Sequence, residues 1–284
     1  MSLRFAINRM SAPRVSFAHF TAMAQRLGLD TIEIRNDLAG VEIEDGTPGR
    51  VVGDIAREHG LQIRSINALQ CFEQFDATRA AEAQAMMAYA VACSAQALVL
   101  CPTNSRRDTR SPQQRHDDLV FALSRLAPML RDHGLSGLVE PLGFEECAVR
   151  RKSQVVRALR ELADATPFAL VHDTFHHHLA GEDLFLPELT GLVHISGVED
   201  GGLEVSQMRD GHRVLVGPAD RLGNVGQLWR LLSAGYSGVV SFEPFADEIA
   251  TAGNIEQRLA HSMQHLERGV GSAAVAARVS FPPP

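Results

Sequence analysis

Paired cysteines are missing from this chain. Its 284 residues include four, Cys71, Cys93, Cys101 and Cys147, none in close CxxC spacing, so the expectation is reduced thiols rather than a disulfide framework. No apolar signal-peptide core follows the initial Met-Ser-Leu-Arg-Phe-Ala, which leads directly into a strand pattern and implies a cytoplasmic protein. No uninterrupted apolar run approaches the roughly 18 residues that a membrane helix requires, and a membrane partner is excluded on that ground. Positive charge is also scarce: 27 Lys and Arg stand against 34 Asp and Glu, a net charge of −7. A nucleic-acid groove needs Lys and Arg to displace phosphate counterions, so the balance points to a small-molecule partner. Finally, no GxGxxG follows the first strand, which argues against an open, doubly wound dinucleotide fold.

What is present is an ordinary globular composition, 45% apolar and 21% charged, in a length that α/β barrels often use as one domain. Strand patterns begin near residues 3, 31, 62, 97, 136, 168, 191 and 238. Helical patterns lie between them. Ser16 opens an amphipathic segment through Phe17, Phe20, Met23, Ala24 and Leu27, closed by Gly28. Ser111-Pro112 caps a long helix with Leu119, Leu123, Leu126 and Leu130 on one face, and Pro128 is expected to kink its last turn. Ile255, Leu259, Met263 and Leu266 mark the last helix. Eight βα units over residues 1–268 predict a single-domain (β/α)₈ TIM barrel. Gly269 to Pro284 shows no helix or strand period and is expected to be a C-terminal tail, mobile or laid on the surface.

Four apolar runs end in ionisable residues. Ser136-Gly-Leu-Val ends in Glu140-Pro141, Phe168 to Val171 in His172-Asp173, Gly191-Leu-Val in His194, and Gly238-Val-Val-Ser-Phe in Glu243-Pro244. Side chains alternate across a strand, so Leu138 shares a face with Glu140, Val171 with Asp173, Leu192 with His194, and Val239 with Ser241 and Glu243. Four strands would point Glu, Asp, His and Glu to one place. Three hard oxygen donors and one imidazole suit one divalent ion, Mn²⁺ or Mg²⁺ ahead of Zn²⁺ or Co²⁺. His172, His177 and His178 lie at the corner where strand gives way to loop, and most of them read as packing or surface; only His176 is singled out from the tract.

The motifs Val-Glu140-Pro, Asp173-Thr-Phe-His176, His194-Ile-Ser and Phe-Glu243-Pro, in this order, resemble the xylose isomerase-like superfamily of sugar isomerases and epimerases. Within it the chain looks like inosose (2-keto-myo-inositol) isomerases and ketose 3-epimerases. The resemblance implies that Glu140, Asp173, His194 and Glu243 are metal ligands and that the two glutamates form the acid/base pair. It also implies that Glu146, His176 and Arg213 contact substrate, with Glu145, Arg209 and Arg221 as their competitors nearby. The substrate would be a polyol ketone or ketose, deprotonated beside its carbonyl to an enediolate. Return of the proton to the neighbouring carbon is isomerisation; return to the opposite face is epimerisation. Hydroxypyruvate isomerase, an endonuclease IV-like enzyme and a non-catalytic sugar-binding barrel are the other readings. Where relatives carry Pro-Gly-x-Gly beside the arginine, this chain reads Val216-Gly-Pro-Ala-Asp220. Relatives of this kind often pair or form tetramers through barrel helices, which implies a homo-oligomer, although no heptad or apolar stripe marks the surface.

Overall fold

The computed structural model describes residues 3–163 and 165–280, the last five by backbone only. Eight parallel strands close into a barrel: β1 (Arg4–Asn8), β2 (Thr31–Arg35), β3 (Gln62–Gln70), β4 (Ala97–Cys101), β5 (Ser136–Val139), β6 (Phe168–Asp173), β7 (Thr190–Ile195) and β8 (Val239–Phe242). Each pairs with the next, and β8 returns to β1 in a register running from Arg4↔Val239 to Ile7↔Phe242. The helices are α1 (Phe17–Arg26), α2 (Gly49–Glu58), α3 (Ala77–Cys93), α4 (Pro112–Asp132), α5 (Lys152–Leu159), α6 (Thr174–Ala180), α7 (Asn224–Ser233), α8 (Asp247–Ala250) and α9 (Ile255–Ser280). The predicted barrel is therefore the observed one.

Local sequence accounts for the helix starts. Ser16 Oγ accepts from His19 N, and Ser111 with Gln114 forms a reciprocal capping box ahead of Pro112, whose missing N–H lies in the first turn. Pro128 falls on the exposed side of α4, and the helix continues to Asp132.

Strand alternation divides the apolar residues into two layers. Ile7, Ile32, Ile34, Ile63, Leu98, Leu100, Val139, Leu170, Val193 and Phe242 face the helices. Ala6, Val99, Leu138, Val171, Leu192 and Val239 fill the barrel interior. The residues inferred to share a face with the four strand-end groups are those inside the barrel.

Two segments depart from the sequence reading. The histidine tract is no loop but α6, seven residues long, capped by Asp173, whose Oδ1 accepts from Phe175 N at 2.7 Å and His176 N at 3.1 Å. It is too short to show a helical period. The segment from Gly269, read as having no helix period, is helical as far as Ser280, where α9 ends. The segment Ser272–Ala277 is alanine-rich, and alanine favours helix without requiring an apolar stripe. Gly269 makes the packing feasible: a Cβ there would sit 2.6 Å from Val225 Cγ2, so glycine lets α9 lie directly against α7. Residues 281–284 of the expected tail lie outside the described residues. Among the described residues, no helix is long and apolar enough to cross a membrane.

Candidate metal centre

Glu140, Asp173, His194 and Glu243 meet at the C-terminal mouth of the barrel. One donor atom from each lies within 4.8 Å of all the others, and all four residues are buried. They follow or end β5, β6, β7 and β8, four successive staves. His194 Nδ1 is 3.0 Å from Glu140 Oε1 and 3.3 Å from Glu243 Oε2. Three buried carboxylates in so small a volume repel one another unless positive charge answers them, and hard oxygen donors with one imidazole are a set that a divalent ion accepts. The residues present therefore fit a divalent ion.

Titration behaviour follows from this crowding. Burial raises the Glu243 carboxyl and Glu140 adds to it, outweighing His194 and Arg213, so Glu243 is pushed up to about 7. Burial would also raise Asp173, but Arg213, His176 and His194 hold it down at about 2. His194 loses from burial and gains more from Glu243, Glu33 and Glu140, so its imidazolium is favoured well above the ordinary range.

Arg213 reaches the cluster from the long β7–α7 connection. An antiparallel bridge, with Gly197 N donating to Val214 O at 2.7 Å and Val214 N to Gly197 O at 2.9 Å, pins that connection to the end of β7. Its guanidinium, 1% exposed, donates through Nη2 to Asp173 Oδ2 (2.6 Å) and Glu243 Oε2 (3.0 Å) and through Nε to Ser196 Oγ (2.9 Å). Arg209 and Arg221, its competitors from the sequence, instead bond loop carbonyls at Ser206, Met208, Asp200 and Leu203. The variant turn packs inward, Val216 being buried and its carbonyl accepting from Ser262 on α9 at 2.7 Å.

A cavity of about 310 Å³ opens over the cluster, with Glu140, His176, Arg213 and Glu243 on its wall. His176 is 96% buried, edge-on to Phe144 and Phe175 at 5.2 Å each. The β5–α5 loop approaches α6 so closely that a Cβ on Gly143 would lie 2.1 Å from His176 O. Glu146 differs from the expectation. It lines a neighbouring cavity of about 260 Å³ with Glu145 and Arg106, whose Nε is 3.7 Å away, and does not line the first. The loop after Glu140 turns it toward Arg106 rather than toward the four donors. A larger cleft of about 460 Å³ opens at the opposite mouth, between the start of β1 and α9, where Arg4 and Asp30 pair at the surface.

Two participants on β2 went unread in the sequence. Arg35 donates through Nη1 to Glu243 Oε1 at 2.7 Å and holds Asp37 with Nε and Nη2, both at 2.7 Å. Glu33 lies behind His194, 3.1 Å from Nε2. The signal was the alternation in Thr31-Ile-Glu-Ile-Arg35: the isoleucines face the helices, so the charged pair must face inward. Among the residues named near earlier strand ends, Cys101 donates its thiol to Glu140 Oε2 (3.5 Å), Asn8 contacts Glu243 Oε1 (3.4 Å), and Asn67 bonds Glu33 (3.0 Å). Beyond His194, the ends of β2 and β3 thus bring no further histidine to the cluster.

Comparison with known proteins places this arrangement. A family model described as the xylose isomerase-like TIM barrel matches residues 21–269. A solved xylose isomerase domain-containing protein from Salmonella typhimurium LT2 is 31% identical, with a TM-score of 0.83 over 96% of this chain and 98% of that one. The IolI protein, solved with a bound zinc atom, is 20% identical with a TM-score of 0.82 over 95% and 99% of the two chains. An L-ribulose 3-epimerase shares 16% identity and a TM-score of 0.72 over the whole of both. No match is found among curated proteins. With the family model spanning most of its length and the barrel closed as above, this chain belongs to the xylose isomerase-like TIM-barrel family.

Proposed function

We propose that the protein is a divalent-metal-dependent isomerase that moves a proton on a polyol ketone, of the inosose isomerase type. The observation that carries this is the convergence of four donor atoms, from four successive strands, within 4.8 Å. Zinc in the IolI protein supports a divalent ion here; manganese and magnesium suit the three carboxylates equally well. Glu140, Asp173, His194 and Glu243 would hold it, and when bound it supplies a Lewis acid that polarises a substrate carbonyl.

The chain's own groups do the rest. Glu140 and Glu243 stand on the cavity wall, placed to take a proton from carbon and to return it. Arg35 and Arg213 are each engaged with two or more carboxylates, which leaves the cavity suited to uncharged hydroxyls rather than to a phosphate. His176 lines the cavity, and its buried Nδ1 has no hydrogen-bond partner in the protein, so it is placed to meet one of those hydroxyls.

A ketose 3-epimerase is the second reading, favoured by the end-to-end likeness to L-ribulose 3-epimerase in fold. The test is deuterium exchange from heavy water into a panel of inososes and ketoses, with Mn²⁺, Mg²⁺, Zn²⁺ or Co²⁺ added in turn. Label at a carbon beside the carbonyl in one of them is expected, and the product's stereochemistry separates isomerase from epimerase. Absence of exchange across the panel with every ion would sink the proposal in favour of a barrel that only binds.

A further inference from the structure

We infer that Glu33 is a positioning residue that fixes His194 with Nδ1 turned toward the metal centre. The inference rests on the metal-centre reading above and extends it to a residue outside the cluster. His194 is bracketed: Nδ1 faces Glu140 and Glu243 at 3.0 and 3.3 Å, while Nε2 faces Glu33 Oε2 at 3.1 Å on its other side. With the ring neutral, as a metal ligand must be, a carboxylate accepting from Nε2–H leaves the lone pair on Nδ1, on the side of the other three donors.

The placement of Glu33 is itself over-determined. Ser65 Oγ donates to Oε2 at 2.5 Å and Asn67 Nδ2 to the same oxygen at 3.0 Å, and these two β3 residues, two apart on one face, also bond each other at 3.1 Å. Three strands, β2, β3 and β7, are thereby tied through one carboxylate oxygen. The residue has no exposed surface, and burying a full charge is costly unless an opposite charge answers it. Among the described residues, its ion-pair partner is His194. Bracing β2 against β3 would need no charge, since the backbone ladder already pairs the two strands; the charge is explained by the imidazole it faces.

The experiment is a calorimetric titration of metal-free protein with Mn²⁺, comparing wild type, Glu33→Gln and Ser65→Ala, alongside thermal melts of each metal-free protein. Glu33→Gln is expected to weaken Mn²⁺ binding about 10- to 100-fold, the usual range for losing a carboxylate behind a ligating histidine. Ser65→Ala, which removes one hydroxyl and leaves the charge, is expected to weaken it about threefold. A purely structural role would lower the melting temperature and leave the affinity of the folded protein alone. Affinity within twofold of wild type in folded Glu33→Gln overturns the inference, and if that variant does not fold, unchanged affinity in Ser65→Ala does so. Wild type that takes up no Mn²⁺ would remove the metal-centre reading itself, before either variant is compared.

Discussion

Arg213 closes on Asp173, Nη2 to Oδ2 at 2.6 Å, while the same nitrogen touches Glu243 Oε2 at 3.0 Å. One buried guanidinium thus balances two of the carboxylates that form the cluster. Removing one member of a buried ion pair strands the other, at a cost of about 3–5 kcal/mol. Arg213→Met is therefore expected to lose about that much stability without metal and to recover part of it when Mn²⁺ is added. Urea unfolding with and without the ion checks this; a metal-free variant as stable as wild type would show that the arginine is not the counter-charge.

Glu243 holds a different prediction because it is both a donor to the cluster and a wall of the cavity. Glu243→Gln keeps its size and its contacts with Arg35 and Arg213 in part, but cannot accept a proton from carbon. Solvent-deuterium exchange should fall by about 10²-fold or more, the contribution of a positioned acid/base group. Exchange at the wild-type rate would mean that another group moves the proton.

His176 and Glu146 should separate. The first lines the cavity above the four donors, whereas the second lies in the adjacent one with Arg106. His176→Ala is expected to raise KM at least tenfold for the best substrate, and Glu146→Gln to change it less than threefold. Equal effects in steady-state kinetics would show that the loop carrying Glu146 folds inward when substrate binds.

The α6 histidines set an acid limit on stability. Burial lowers the His177 imidazole, and Lys152 and Arg230 lower it further, to about 3, against an ordinary value of 6.5. Below pH 6.5 the unfolded chain takes up a proton that the folded one refuses, so stability declines as pH falls from 6.5 toward 3. His177→Phe preserves the ring contacts with His172 and Phe185 and abolishes that proton. Relative to wild type, the variant should gain about 2 kcal/mol between pH 8 and pH 5, at about 1.4 kcal/mol per pH unit. Chemical denaturation at the two pH values measures it, and a constant difference between the proteins would refute it.

The strand-end quartet was legible because a period of two residues places Leu138, Val171, Leu192 and Val239 on the faces of the groups that follow them. The barrel interior holds all four leads. Glu33 and Arg35 followed the same period, but they lie on a strand whose end carries no motif, and their partners, His194 and Glu243, are more than 150 residues away in sequence. No local pattern encodes a contact across the barrel. Helix α6 was missed for want of length, and the end of α9 because Ala273, Ala274 and Ala276 confer helix propensity without an apolar period. Glu146 was singled out by the family resemblance, and a motif match does not encode which way the loop carrying it turns, here toward Arg106.

The bridge between Gly197 and Val214 has a consequence for how such a barrel changes its clientele. Both feet of the excursion that presents Arg213 are clamped to the scaffold, and Phe245 N and Ala246 N, each 2.9 Å from Arg213 O, hold the arginine's own backbone. Met208, buried, and Asp210, whose Oδ1 accepts from Arg213 Nη1 at 3.2 Å, belong to that clamp, but the exposed residues 204–207 ahead of them can be rewritten without displacing the guanidinium, so evolution is free to reshape this edge while the machinery beneath it stays put.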